Sequence, residues 1–495
     1  MSLPKPAEMF DREREWAALT TFATDDSPGA SLGVVSGRRR QGKTFLLRAL
    51  CQATGGFYHA AEEATDGESL HRIGAALSQH LGAPAPLAFQ DWGDVVDALL
   101  ALGRDRVVPV VIDEFPYLAR ANPRLPSIIQ NALAPLRGER DASRTRLLLC
   151  GSAMSFMGRL LSGSAPLRGR AALELVVPPL DHQLAAEFWG ATDARTALKL
   201  NAIVGGTPAY RREFARDDTP AGPDDFDAWV VRTVLSPTSP LFREARYLLA
   251  DEPDLRDTAL YHSVLAAIAA GNTTRGGIAS FMGRKSGDLA HPLTVLEDCG
   301  LVSREPDVFK DNRSSFRIAE PLITFHHAVM RPIWSDLEHT RDASRLWQRS
   351  QRRFTANVLG PHFEHLCRHW TRHYAPESLL GDFPHRVGSG TVNDPSARTS
   401  HELDVVAHGL DEDDRQPLLG IGEVKWGDVM GLGHLDRLTR IRALLTAQNR
   451  PGAATARLLL YSATGFTTEL RARAASDPGI VLVGAEDLYP SPAKN

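Results

Sequence analysis

The chain has 495 residues, 43% apolar and 23% charged, with a net charge of −4. That length exceeds what one hydrophobic core supports and implies roughly three or four domains. The composition is that of a globular protein, and the slightly acidic balance excludes a coat protein that is basic throughout.

No apolar run of about 18 residues occurs, so no bilayer-crossing helix is expected. The N-terminus MSLPKPAEMF lacks a basic segment followed by an apolar one, so no secretion signal is expected either. Cys51, Cys150, Cys299 and Cys367 are far apart and form no CxxC pair. They fit reduced thiols in a cytoplasmic protein. Of the 56 basic residues only seven are lysine, so a lysine at a motif position carries weight, because a point ammonium is not interchangeable with a planar guanidinium.

In chain order, apolar runs at Leu32–Ser36, Gly56–Ala60, Val107–Ile112, Arg146–Gly151 and Leu173–Leu180 alternate with helical patterns. This predicts an α/β domain with a buried parallel sheet. The first run leads into Gly37-Arg38-Arg39-Arg40-Gln41-Gly42-Lys43-Thr44 and then a helical segment, which is GxxxxGK[ST] in strand–loop–helix context. Glycines let backbone N–H groups wrap phosphates, and the helix N-terminus adds partial positive charge. Lys43 is expected on the β- and γ-phosphates of ATP and Thr44 on Mg²⁺. The third run ends in Asp113 and Glu114, the first expected to hold Mg²⁺ and the second to orient the attacking water.

From Asp181 to Leu249 helical periodicity takes over, interrupted by the turn Gly205–Pro208. Three helices and a hairpin-like segment between Leu255 and Pro321 outline a winged helix-turn-helix. Its expected recognition helix carries Asp288, Glu297 and Asp298, with Arg284 and Lys285 just before it. An acidic helix reads DNA poorly, which favours a packing or regulatory role. The polar stretch Trp334–Arg349 reads as a linker.

The remainder returns to α/β: a helix at Pro361–Tyr374, strands at Glu402–Ala407 and Leu418–Lys425, a helix at Leu432–Ala447 and two further strands. Residues two apart on a strand share a face, so Glu423 and Lys425 point the same way, and Asp404 joins them if the strands are neighbours. Two carboxylates and a lysine at one spot suit Mg²⁺ binding and phosphodiester hydrolysis. His362, His365, His369 and His373 lie mostly off the apolar stripe of their helix and read as a solvated face. Arg349–Arg353 and Arg368–Arg372 either line a nucleic-acid groove or are solvated helix faces.

The blocks FDREREWAAL, GRRRQGKT, VIDEFPYL, LLLCGSAMSFM, PLRGR and GGTPAY resemble, in order, those of prokaryotic P-loop ATPases of the AAA+/STAND group, which often carry a C-terminal nuclease-like domain. The resemblance implies that Phe10 and Arg12 lie near the base, that Ser152 senses the γ-phosphate, that Arg170 is an arginine finger, and that Gly206-Thr207-Pro208 is a lid motif near the nucleotide. Ser152 as a helix cap and Arg170 as a surface ion pair remain alternatives. Asp404, Glu423 and Lys425 resemble the core motif of the PD-(D/E)xK nucleases, and Glu364 their extra acidic residue.

The expected architecture is a P-loop core at 1–180, a helical lid at 181–250, a winged helix at 251–345 and a restriction-endonuclease-like α/β domain at 350–495. The expected activity is ATP hydrolysis governing a Mg²⁺-dependent nuclease-like domain on nucleic acid, DNA before RNA, in a chain able to form homo-oligomers. The alternative is a signalling or DNA-loading switch whose C-terminal domain only binds.

Overall fold

Five short, mostly apolar runs make one parallel sheet in the N-terminal part of the chain. In the computed structural model, which describes residues 3–490 apart from 251, 253, 254, 256, 311, 340 and 341, they are β1 (Ser31–Ser36), β2 (Phe57–Ala60), β3 (Val108–Asp113), β4 (Thr145–Gly151) and β5 (Ala171–Val176). Their order is β2–β3–β4–β1–β5, every pair parallel. The last strand stops short of the expected Leu180. Val177 N–H still reaches Ser36 O at 2.8 Å, but Pro178 and Pro179 have no N–H with which to continue the ladder.

Alternate residues of these strands feed two cores, as the period of two demands. Leu32, Val34, Val110, Ile112, Leu147 and Leu149 pack against helices of residues 66–132. Val35, Val111, Leu148 and Cys150 pack against the helices Glu13–Thr24 and Lys43–Thr54. These elements belong to one compact unit, formed mainly by the chain as far as Pro179. The segments expected as lid, winged helix and C-terminal domain belong almost wholly to a second.

The second unit begins with helices, including His182–Trp189, Ala194–Val204 and Pro240–Ala250. At the turn Gly205–Pro208 a side chain on Gly206 would lie 1.7 Å from Leu180 O, so only glycine fits. Helices Thr258–Ala269, Arg275–Phe281 and Ala290–Asp298 precede an antiparallel hairpin of β6 (Val302–Pro306) and β7 (Ser314–Ile318). The stretch expected as a linker is instead helical, at Trp334–His339 and Ala343–Phe354. Trp347 is buried and its indole N–H donates to Asp227 Oδ1 at 2.9 Å; a narrow apolar stripe among many charges gave the stretch its linker-like composition.

The C-terminal sheet runs β12–β11–β10–β9–β8, with β8 (Arg386–Asp394), β9 (Thr399–His408), β10 (Leu418–Lys425), β11 (Arg457–Ser462) and β12 (Ile480–Gly484). β8, β9 and β10 are antiparallel and β10, β11 and β12 parallel. Helix Gly360–His373 packs on β8, β9 and β10. Its histidines are not a solvated face. His362 Nε2 lies 2.8 Å from Asn201 Oδ1, and the His369 ring stands edge-on to His182 at 5.5 Å. Of the four only His373 is exposed, because helix Ala194–Val204 and neighbouring segments cover the side of this helix that the sheet leaves open. Among the described residues no helix is long and apolar enough to cross a membrane.

The second unit buries neutral histidines. Burial lowers His182 to about 4 and His326 to about 3, and pushes His327 well below the usual histidine range. A lowered histidine pKa means that the unfolded chain binds protons the folded chain refuses, so stability present above pH 6.5 is lost as pH falls toward 4. The urea midpoint should therefore drop steadily from pH 7 to pH 5, and the drop should be shallower in His326→Leu.

Candidate functional site

Because the sheet of the first unit is parallel, all its strands end at one edge, and three motif segments meet there. The loop after β1 takes left-handed backbone at Arg40 (φ 68°) and Gly42 (φ 88°). Gly37 is tighter, since a Cβ there would meet Val177 O at 2.6 Å. Lys43 is buried, and its ammonium donates to Gly37 O at 2.7 Å and Arg38 O at 2.8 Å. Burial pulls its pKa below the usual lysine range, against the opposing charges of Glu114 and Asp113. Arg39 donates to Tyr117 Oη at 3.3 Å.

Thr44 Oγ1 donates to Asp113 Oδ2 at 2.7 Å, although β4 lies between β1 and β3 in the sheet. Glu114 follows in left-handed backbone (φ 51°), and both its carboxylate oxygens accept from Ser152 Oγ at 3.0 and 3.1 Å. Arg12 is buried, with Nη2 3.3 Å from Gln41 O, and Phe10 is half-buried two residues earlier. Sequence reasoning missed Tyr58, whose hydroxyl donates to Asp113 Oδ2 at 2.7 Å. Its position on β2, beside the acidic strand end, was the available signal. A hydroxyl and a carboxylate sharing one spot are hard oxygen donors of the kind Mg²⁺ takes, so Thr44 and Asp113 fit that ion.

Of the other expected residues, one stands at the opposite edge of the sheet and one belongs to the other unit. Leu32 pairs with Ala171, so Arg170 lies where the strands begin, whereas Gly37, Asp113 and Ser152 lie where they end; its side chain is exposed. Pro208 belongs to the second unit, just before the helical turn Tyr210–Phe214.

In the C-terminal sheet the pairing of Gly422 with Val405 sets Asp404 beside Glu423. Asp404 Oδ2 accepts from Val424 N–H at 2.8 Å. Glu423 is 5% exposed, with Oε1 3.1 Å from Lys425 Nζ and Oε2 2.9 Å from Arg437 Nη1. Glu364 lies 3.9 Å from Arg368 and, with Asp404, lines a cleft of about 280 Å³. Burial, then the Asp404 charge, raises the Glu364 pKa; burial also raises that of Asp404, opposed by Val424 N–H and Lys425. Among the described residues no three His, Cys, Asp or Glu side chains form a ready cation cage. Two carboxylates completed by water and phosphate oxygens suit Mg²⁺ nonetheless. Arg437 and Glu305 were not foreseen as members of this cluster, since each comes from a different element and neither has a fixed offset from the motif; Arg368, in a basic run that reads as a groove lining or a solvated face, stands one helical turn after Glu364.

No family model matches the chain. It is similar to the uncharacterized protein MJECL04 of Methanocaldococcus jannaschii, 26% identical over 333 residues that cover 66% of this chain and 70% of that protein. Similar solved structures include the Walker-type ATPase PABY2304 of Pyrococcus abyssi, with 20% identity, a TM-score of 0.48 and coverage of 65% of this chain and 96% of that one. The ORC2 protein of Aeropyrum pernix in its ADPNP–ADP complexes has 15% identity, a TM-score of 0.39 and coverage of 70% and 97%.

The two strand carboxylates should differ in what their loss costs. Glu423→Ala strands two cations and should lower stability by about 1–3 kcal/mol. Asp404→Asn keeps an acceptor for Val424 N–H and should cost under about 1 kcal/mol. Urea unfolding of the two variants at pH 7.5 checks the order.

Proposed function

We propose that the chain is an ATP-binding and ATP-hydrolysing protein of the AAA+/STAND type that regulates a C-terminal Mg²⁺-dependent nuclease acting on nucleic acid, DNA before RNA. The observation that carries the ATPase reading is the Thr44–Asp113 hydrogen bond (2.7 Å) beside the Ser152–Glu114 pair. In this reading the loop backbone of residues 37–42 and the helix N-terminus bind the phosphates. Lys43 balances phosphate charge, Thr44 and Asp113 hold Mg²⁺, and Glu114 orients a water and accepts its proton. Bound Mg²⁺ supplies charge neutralisation at the β- and γ-phosphates. Ser152 keeps Glu114 in place and reports the γ-phosphate, Phe10 and Arg12 flank the base, and Pro208 belongs to the lid. Arg170, at the opposite end of the strands, serves as an arginine finger for the nucleotide of a second copy, which makes the active form a homo-oligomer.

The nuclease reading is supported by a mixed five-stranded sheet with Asp404 and Glu423 on adjacent strands, Lys425 on the face of Glu423, and Glu364 on the helix packed against them. Asp404 and Glu423, with Glu364, hold the cation, and Lys425 stabilises charge at the phosphate. Exposed Asp288, in the short helical turn Ser286–Leu289, and exposed Asp298, at the end of helix Ala290–Asp298, suit a packing or regulatory role for the winged-helix segment.

One observation favours a second reading, a signalling or DNA-loading switch with a non-catalytic C-terminal module: both oxygens of Glu423 are already held by cations.

Lys43→Ala should lose ATP binding in equilibrium titration, whereas Glu114→Gln should retain it and hydrolyse at least about 100-fold more slowly. Unchanged turnover in Glu114→Gln would remove its assigned role. Plasmid, single-stranded DNA and RNA offered with Mg²⁺ or Mn²⁺, with and without ATP, test the nuclease. Cutting should vanish in Glu423→Ala, and Lys43→Ala should change its ATP dependence. ATP hydrolysis without cutting of any of the three supports the second reading.

A further inference from the structure

The hairpin β6–β7 is seated on the C-terminal sheet more firmly than a surface hairpin requires. Beyond its first strand, Val308 N–H donates to Ser389 O at 3.0 Å, Asp307 Oδ2 accepts from Thr391 N–H at 3.0 Å, and Lys310 Nζ donates to Asn393 Oδ1 at 2.8 Å. Val308 and Phe309 pack against the apolar core of that sheet. They land on two glycines: a Cβ on Gly390 would come within 2.6 Å of the Phe309 ring, and one on Gly388 within 2.8 Å of Val308. The Phe309 ring lies 5.9 Å from that of His408 and 5.5 Å from the Arg450 guanidinium. Glycine weakens a strand interior and marks close approach, and here each one clears space for a hairpin side chain.

The seat adjoins the acidic cleft. Ser314–Ile318 of β7 line it together with Glu364, Arg368, Glu402 and Asp404. Arg368 Nη1 donates to Asp404 O at 3.0 Å, which fixes the guanidinium beside the carboxylates. Its Nη2 lies 3.2 Å from Glu305 Oε2, while Oε1 of the same carboxylate is 2.9 Å from Arg317 Nε and 3.7 Å from His365 Nδ1. A guanidinium next to carboxylates able to hold Mg²⁺ is suited to a phosphodiester oxygen. A glutamate from the hairpin occupies it instead.

We propose that Arg368 is the phosphate-binding cation of the C-terminal cleft and that hairpin β6–β7 is an autoinhibitory plug, with Glu305 holding Arg368 in place of a substrate phosphate until the hairpin leaves its seat. The cleavage consequence rests on the nuclease reading of Asp404, Glu423 and Lys425; the binding consequence does not.

The test uses the full chain, a labelled DNA duplex and Mn²⁺. Glu305→Gln should bind the duplex about tenfold more tightly at low salt, and adding Arg368→Ala should abolish the gain. A Val308→Cys/Gly388→Cys pair gives a reversible lock, since the four native thiols are buried. Oxidation should lower duplex affinity and any cleavage, and reductant should restore both in the same molecules, which separates locking from misfolding. If neither Glu305→Gln nor the lock alters duplex affinity, the plug is overturned. If affinity rises in an Arg368-dependent way but no variant cuts, the plug stands and the nuclease reading falls. Cleavage by the lock variant that oxidation leaves unchanged overturns the plug and keeps the nuclease.

Discussion

The first unit depends on the hydrogen bond from Thr44 to Asp113. It ties the first turn of the helix after β1 to the end of β3, two strands away, and so fixes the loop between them against the acidic strand end. A parallel sheet supplies the common edge, but strand ends alone do not set side chains to within an ångström. Tyr58 donates to the same carboxylate oxygen, and Glu114 N–H donates to the other at 3.0 Å. Asp113 is thus held on three sides inside a mostly apolar strand, which is what a buried carboxylate requires. The cost is paid in backbone conformation. Glu114 sits in the left-handed region, where a non-glycine residue is strained by about 1–3 kcal/mol, and that turn aims its carboxylate at Ser152.

The second unit solves the buried-charge problem with arginine. Glu423 is shared between Lys425 and Arg437, Glu305 between Arg317 and Arg368. Planar guanidiniums can satisfy a carboxylate and a backbone carbonyl together: Arg437 reaches Glu402 O at 2.8 Å and Arg368 reaches Asp404 O at 3.0 Å. These bridges tie β9 to its neighbours at the point where Asp404 emerges. In a chain this rich in arginine, Lys425 is the exception, and its single compact charge beside Glu423 differs in kind from the forks around it.

What was legible in the sequence was local. The loop Gly37–Thr44, the pair Asp113–Glu114 and the Glu423–Lys425 spacing are each written within a few residues, and the period of two predicted their shared faces. What stayed hidden came from elsewhere in the chain. β8 reads as a turn-rich segment because Gly388 and Gly390 answer to Val308 and Phe309, some eighty positions earlier. The histidines of helix Gly360–His373 read as solvated in the sequence because a second covering layer, including Asn201 of a distant helix, leaves no trace in local periodicity. The helix Ala343–Phe354 was obscured by its charge, since burial of Trp347 needs only one narrow stripe. Arg170 could be placed by motif order, but which end of the sheet it occupies follows only from the register of β5 on β1.

The size of the hairpin's seat decides whether it can act as a switch. Burial of Val308 and Phe309 contributes on the order of 1.5–3 kcal/mol each at full burial, and both are only partly buried. The Glu305 bridge adds less than its short distances suggest, because much of its attraction offsets the desolvation of the three groups. Opening also returns conformational freedom to the loop between β6 and β7. A closed state held by a few kcal/mol keeps the open form at a low but finite population, and inverting a 1:99 balance takes about 5.5 kcal/mol of differential binding. Two charge-assisted contacts from phosphates to Arg368 and its neighbours, at about 1.5–3 kcal/mol each, fall in that range. A seat built on a larger apolar surface would hold the cleft shut against both, and one without the glycine clearances would not admit the Val308 and Phe309 side chains.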